Sequence, residues 1–147
     1  MAAPDTLNGT RLYIKIGDGE DPEEFAHPCL INAERGFTLR ANTNDVSVPD
    51  CDNPDDPAWR ELVKDVLSAG CNGAGILDAK IETIQFYTNW HRSKDAKNAQ
   101  VWLGTIGYWP CKLQLTEWQI TGERGNKIQN SITLESDGAV GEFTAGP

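Results

Sequence analysis

The segment from Gly107 to Gly138 reads GYWPCKLQLTEWQITGERGNKIQNSITLESDG and is the most informative part of the sequence. It predicts strands over 112–121 and 127–136, because apolar and polar residues alternate in each. Between them, residues 122–125 (GERG) suit a tight reversal in which glycine adopts a positive φ. The alternation of the first strand changes phase partway, which predicts a β-bulge near Thr116–Glu117. The chain is therefore expected to be built around β-sheets.

The remaining elements are further strands and one helix. Apolar residues at helical spacing predict a helix from Ala79 to about Arg92, with Asp78 as its cap. Its expected buried residues are Ile81, Ile84, Tyr87 or Thr88, Phe86 and Trp90. Further short strands are predicted over 11–16, 29–31, 37–41 and 101–106. This order indicates an α+β protein that is mainly β, dominated by a β-sandwich, and the 147 residues suit a single domain.

Two segments between these elements are less regular. Val46 and Val48 alternate within a polar, Asn-rich setting that ends at Pro49, which predicts an extended arm or hairpin leaving the body. The stretch 56–69 is ambiguous. Pro57 at a first helical position and the spacing of the apolar residues favour a helix, whereas the small residues that follow favour strand and turn.

The charge of the chain lies in its N-terminal half. Residues 18–65 hold thirteen acidic and four basic residues, which accounts for the whole formal net charge of −9. Gripping the DNA backbone requires clustered Lys and Arg, so a DNA-binding role is disfavoured. A surface that repels DNA, a surface that tunes assembly, and simple solvated acidic loops all remain open.

Motifs for catalysis, metal binding and export are weak. Four separate cysteines without a Cys-x-x-Cys pair favour reduced, mostly buried thiols, although one disulfide stays open. His27 and His91 stand without a nucleophile motif, so both are expected to be structural. The run Asp50–Asp56 with Glu61 lacks the glycine of an EF-hand, which leaves only a looser calcium site. We expect no catalytic residue, no cofactor and no metal site. We also expect no secretory signal and no membrane span.

The order of these parts resembles that of phage major tail tube proteins, the family found in siphophage tails and gene transfer particles. The resemblance covers about residues 8–142. It rests on the opening strand LYIKIG (12–17), an arm near 38–49, a Trp59 segment leading into 68–78, one helix, the Trp102-Leu103-Gly104 strand, and the closing hairpin through SITLESDG (131–138). The sequence departs from the family pattern at 62–67, which indicates a helix where such proteins carry a strand.

The resemblance implies a single tail tube domain over 1–147, with a β-sandwich or barrel-forming fold, one flanking helix and an extended arm over 42–56. Six copies would join sheets edge to edge into a ring, and rings would stack into a tube that conducts DNA without binding it specifically. The implied partners are copies of the chain itself and the tape measure, terminator and distal tail proteins, within a virion or phage-like tail assembled in the bacterial cytoplasm. The residues expected to make contacts between rings or subunits are Asn44, Asp45, Val46, Val48, Asp50, Asp52 and Trp59.

Two other interpretations stay open. The first is another component of the same fold, namely a tail terminator or initiator, or a secretion-tube subunit. The second is a monomeric β-sandwich that binds carbohydrate or calcium through its tryptophans and the Asp50–Asp56 cluster.

Overall fold

The computed structural model describes residues 3–20 and 22–146. Within them, a short 3-10 turn at Gly9–Arg11 precedes eight strands and one α-helix. The elements are β1 Leu12–Gly17, β2 Phe25–Ala26, β3 Arg35–Val46, β4 Glu61–Ile76, α1 Ile81–Arg92, β5 Lys97–Leu103, β6 Gly107–Thr121, β7 Gln129–Ser136 and β8 Thr144–Ala145.

The strands form one antiparallel sheet in the order β2-β1-β5-β6-β7-β4-β3, with β8 beside the start of β6. The long strand β6 joins the two halves of the sheet, because β5 pairs with residues 107–113 and β7 with residues 113–121. A mainly β fold with one helix is thus confirmed. The bulge is confirmed as well, since the β6–β7 register shifts between Leu115 and Glu117.

The core lies on one face of this sheet and draws on both halves. Its fully buried side chains include Ile14 of β1, Val101 of β5, Leu113 of β6, and Ile132 and Leu134 of β7. The helix covers these residues with Tyr87 and Trp90, which is 2% exposed. Burial of these two aromatic side chains contributes to a single hydrophobic core that both halves of the sheet share.

An arginine links the two ends of the sheet. Arg35, at the start of β3, donates from Nη1 to the backbone oxygen of Leu12 at 3.1 Å and to that of Thr10 at 3.4 Å. These oxygens lie at the start of β1 and just before it. The sheet therefore curls around its core, so that β3 approaches β1 although the two strands are far apart in strand order.

Four details of the sequence prediction are wrong. The helix begins at Ile81 rather than Ala79, and Asp78 is not its cap but accepts a hydrogen bond from Thr83 Oγ1 at 3.1 Å. Ile81 is exposed rather than buried. Residues 29–31 form no strand, because the chain turns there with a hydrogen bond from the Ile31 amide to the Pro28 oxygen.

The ambiguous segment resolves as strand. Residues 61–67 belong to β4, where 61–64 and 67 pair with β3, and residues 57–60 are irregular. The helical spacing of the apolar residues is overridden because the neighbouring backbone of β3 pairs with this segment on both sides of an irregularity between Ala41 and Thr43.

The cysteines divide into two groups. Cys71 and Cys111 are buried in the core, and burial raises the pKa of their thiols to about 12 and about 11 respectively. Cys29 and Cys51 are exposed. All four are free thiols, so the expectation of mostly buried cysteines holds for two of them.

His27 has a structural role. Its Nδ1 accepts the Ile14 amide hydrogen at 3.1 Å, and its Nε2 lies 2.8 Å from the Ile31 oxygen, to which the neutral ring can donate. Burial lowers its pKa below the ordinary value of 6.5. The neutral ring therefore ties the turn at 28–31 to β1.

We predict that this histidine makes stability depend on pH. Because its pKa is lower in the folded state, the unfolded chain takes up the proton first as pH falls. The contribution of neutral His27 to the free energy of unfolding is complete above pH 6.5 and declines below it, towards the folded-state pKa. Urea unfolding between about pH 8 and about pH 5 should show this decline. His27→Gln should flatten it, whereas the exposed control His91→Gln should keep it.

Candidate assembly interface

The hairpin of β3 and β4 extends beyond the body of the protein. The two strands pair from Arg35–Gly73 out to Val46–Glu61, but β7 pairs with β4 only from Gly70 onward. Residues 38–68 therefore form a two-stranded ribbon with a connecting loop at 47–60, which we call the distal hairpin. With about 3.3 Å per residue, the unpaired part of β4 reaches roughly 30 Å past the end of β7.

The distal hairpin carries apolar side chains that the described chain leaves in solvent. Leu67 is 72% exposed and Leu39 is 58% exposed. The other exposed apolar residues on its strands are Val46, Leu62, Val63 and Val66. A two-stranded hairpin is marginally stable alone in water, and contiguous exposed apolar surface typically marks an interaction site. This ribbon is therefore suited to being covered by another chain.

One face of the distal hairpin continues the core. Leu39 pairs with Ala69, which is fully buried, and Leu67 lies two residues before Ala69 on the same face of β4. Leu67 also pairs with Ala41. A row of apolar side chains thus leaves the closed body and runs outward, and we call it the apolar face.

The contact residues expected from the sequence all lie at the end of the distal hairpin. Asn44, Asp45 and Val46 pair with Val63, Leu62 and Glu61, so they belong to the final strand pairs. The others are on the connecting loop, at Val48, Asp50, Asp52 and Trp59. Trp59 is 92% exposed, more than any other large apolar residue among those described.

Two short-range polar contacts shape this end. Asp45 Oδ1 lies 3.9 Å from Arg60 Nε, and Asp50 Oδ1 accepts the Asp52 amide hydrogen at 2.9 Å. These contacts are local and solvent-exposed, so the loop carries its acidic groups outward. Within residues 3–20 and 22–146, no group of three or more potential metal ligands is found.

The apolar face is not predicted from the sequence. Leu62, Val63, Val66 and Leu67 have the spacing of a helical stripe, which favours a helix although all four belong to a strand. The small residues from Ser68 onward are the signal for a strand, because a run of Gly and Ala disfavours a helix and suits close approach of another backbone.

The opposite side of the same strands is polar, and we call it the polar face. Small and uncharged side chains dominate it. Its charged groups include Arg40 on β3 and Glu135 on β7, and β6 adds Lys112 and Glu117. Its members on β3, β4, β6 and β7 include Gly36, Thr38, Arg40, Ser68, Gly70, Asn72, Lys112, Gln114, Glu117, Gln119, Ser131, Thr133 and Glu135. Because the core occupies the other side of these strands, the sheet separates an apolar interior from a smooth polar surface.

The tryptophans do not form one shared surface. Trp90 of α1 is buried against the core. Trp109 packs against Phe37 and Phe143, with ring centroids 5.1 Å and 4.8 Å away. Trp102 stacks on Tyr108 at 4.5 Å, on the other half of the sheet from Trp59. Such scattered rings do not build a continuous platform for a sugar. No helix in the described part of the chain has the length and apolar character needed to cross a membrane.

A closed core, a smooth polar face and a projecting ribbon define a structural β protein with an exposed surface for association. A family model described as phage tail tube protein matches residues 6–142 of the chain. The chain therefore belongs to the phage tail tube protein family. It is accordingly a structural subunit of a tail tube, in the tail of a phage-like particle.

Solved structures share this fold. The chain is 23% identical to the tail of an empty gene transfer agent particle, with a TM-score of 0.77, and 95% of this chain and 100% of that chain are covered. The virion of the native gene transfer agent particle gives the same identity and coverage with a TM-score of 0.75. The SPP1 tail tube is 8% identical, with a TM-score of 0.66 over 97% of this chain and 80% of that chain. A search of curated protein sequences gave no significant match.

Proposed function

We propose that this chain forms hexameric rings that stack into a tube through which DNA passes. The observation that carries the proposal is the distal hairpin, with its uncovered apolar face and strand edge. A free edge of β3 exposes backbone donors and acceptors, which a neighbouring strand can satisfy. Sixfold symmetry is proposed because the gene transfer agent tail with this fold was refined with C6 symmetry.

The polar face is proposed to line the channel. The core, the half of the sheet with β1 and β5, and α1 all lie on the other side of β3, β4 and β7. When six such sheets join edge to edge, the bulk of each subunit must point outward, because a narrow cylinder leaves little room inside. The face of small, mostly uncharged side chains then meets the DNA.

The acidic residues are proposed to act mainly between rings. Asp50, Asp52, Asp55 and Asp56 belong to the loop of the distal hairpin rather than to the polar face. A reach of roughly 30 Å beyond β7 favours contact with a subunit of the adjacent ring. The arm over 42–56 is therefore proposed to make the contacts between stacked rings. The contact residues are those at its end, from Asn44 to Asp52, together with Trp59.

The further partners follow from this role. Tape measure, terminator and distal tail proteins are the proposed neighbours of the tube, and assembly is proposed to take place in the host cytoplasm. Neither membrane binding nor sequence-specific DNA binding is proposed. The role is structural and requires no catalysis, cofactor or metal.

The test is self-assembly of the purified chain. We expect light scattering to reveal concentration-dependent growth and negative-stain electron microscopy to show long tubes or stacked rings with a central channel. Isolated rings alone would favour a terminator or initiator. A monomer at every concentration would contradict the proposal, and ligand-dependent tryptophan fluorescence of that monomer would favour a carbohydrate- or calcium-binding protein.

A further inference from the structure

An ion pair crosses the polar face. Arg40 on β3 and Glu135 on β7 are separated by β4, yet Arg40 Nη1 lies 3.4 Å from Glu135 Oε2 and 3.5 Å from Oε1. The two side chains meet above Gly70, which pairs with Glu135 on one side and with Thr38 on the other. The guanidinium thus lies along the sheet instead of projecting away from it.

Gly70 provides the space for this pair. A Cβ at position 70 would lie 2.9 Å from Arg40 Nη2 and 3.2 Å from Glu135 Oε2, closer than ordinary contact. The backbone of Gly70 does not itself require glycine, because the positive-φ glycines of the described chain are Gly19, Gly104, Gly125 and Gly138. A side chain at position 70 would displace the ends of Arg40 and Glu135, so the glycine leaves room for the pair above the strand.

The pair contributes little to stability. Its side chains are 53% and 35% exposed, and exposed ion pairs typically stabilise a fold by about 0–1 kcal/mol. Such a small gain does not explain why an arginine is placed on a face where small and uncharged side chains dominate. The position of the arginine therefore calls for an explanation other than stability.

We infer that Glu135 masks Arg40 from the DNA that passes through the channel. The inference rests on the proposed function, in which the polar face lines the tube. On β3, β4 and β7, Arg40 is the one cation of the polar face among the described residues, and β6 adds Lys112. Six copies would therefore place six arginines around each ring. Every Lys or Arg that contacts a phosphate adds a salt-dependent binding term, and such terms would hold the DNA along the tube.

Glu135 counters this in two ways. Its carboxylate neutralises the guanidinium, and its position on β7 draws the side chain of Arg40 back over Gly70. On β6, Lys112 and Glu117 also carry opposite charges, so these two pairs of charges cancel. The channel wall is thereby kept from attracting DNA although it contains an arginine in every copy.

The test compares tubes assembled from Glu135→Gln, Arg40→Gln and the double variant in the presence of short linear duplex DNA. The readout is the duplex that sediments with the tubes and survives nuclease digestion. Glu135→Gln tubes should retain at least about tenfold more duplex than the wild type at low salt, with a salt dependence steeper by about 0.9 per added phosphate contact. Arg40→Gln and the double variant should stay at the wild-type level.

Glu82→Gln is the matched control. It removes one carboxylate from the exposed side of α1, so the net charge changes equally at a site away from the polar face and the distal hairpin. It should not raise the protected DNA. An equal rise in Glu82→Gln, a rise that persists in the double variant, or no rise in Glu135→Gln tubes would overturn the inference while leaving tube formation intact.

A second variant is used in case Glu135→Gln does not assemble into tubes. Glu135→Ser also removes the carboxylate and should retain DNA as Glu135→Gln does. If neither variant forms tubes while the wild type does, the pair serves assembly and the inference is wrong. If the wild type itself forms no tubes, the proposed function fails first, and the two failures are thus distinguishable.

Discussion

Placing a charge on the apolar face, by Leu67→Glu or Leu39→Glu, is expected to keep the chain monomeric. Leu67 and Leu39 are mostly exposed in the single chain, so a carboxylate there costs the monomer little. In a ring, the same carboxylate would be buried against a neighbour without a partner. The effective penalty is several kcal/mol per ion, and about 3 kcal/mol already weakens each contact more than a hundredfold.

Light scattering over a concentration series measures this effect, and thermal unfolding checks that the variants stay folded. Ile81→Glu is the matched control, because Ile81 is 65% exposed at the start of α1, where an acidic residue suits the helix dipole. The control should assemble as the wild type does. Normal assembly of both leucine variants would show that the apolar face is not a subunit contact.

Deletion of residues 44–54 is expected to abolish long tubes while sparing the body of the fold. The deletion removes three residues of β3 and most of the connecting loop, all of which lie beyond the region that β7 stabilises. Because the proposed ring contacts begin nearer the body, at Leu39 and Leu67, isolated rings should still form. Negative-stain microscopy distinguishes rings from tubes directly.

Two controls distinguish the effect of the length of the loop from the effect of its side chains. Replacing residues 47–54 by a Gly/Ser segment of equal length keeps the reach of the loop but removes Val48, Asp50 and Asp52. Trp59→Ala removes only the exposed ring, an anchor of the residue type that often dominates an interface. Both should shorten the tubes less than the deletion does. Tubes of unchanged length after the deletion would exclude a stacking role for the arm.

The closing hairpin was predictable because its information is local. Alternation over 112–121 and 127–136 assigns the strands, and a change of phase assigns the bulge. Of the two turn glycines, only Gly125 has a positive φ, at 89°, so the turn required one glycine for its backbone. The ordered set of such local signals was also sufficient to indicate the family.

The candidate interface was predictable only in part. Asn44 to Asp52 are predicted as contact residues because a polar extended segment with alternating valines does not suit the core of its own chain, and this assignment stays a prediction. Leu62 to Leu67 are not predicted as contact residues, because their helical spacing outweighs a strand pattern that only the pairing with β3 reveals. The N-terminal boundary of α1 was misplaced for a similar reason, since Asp78 binds Thr83 rather than capping the helix.

Local sequence patterns specify the β character, the single helix, the closing hairpin and the location of the acidic loop. These depend on periodicity, turn residues and composition, which act over a few neighbouring residues. Three-dimensional packing is needed to establish that residues 61–67 are strand, that their leucines lie on an uncovered face, and that Arg40 meets Glu135 over Gly70. Those features arise from strand pairing between segments up to about a hundred residues apart, and no local pattern records which strands become neighbours.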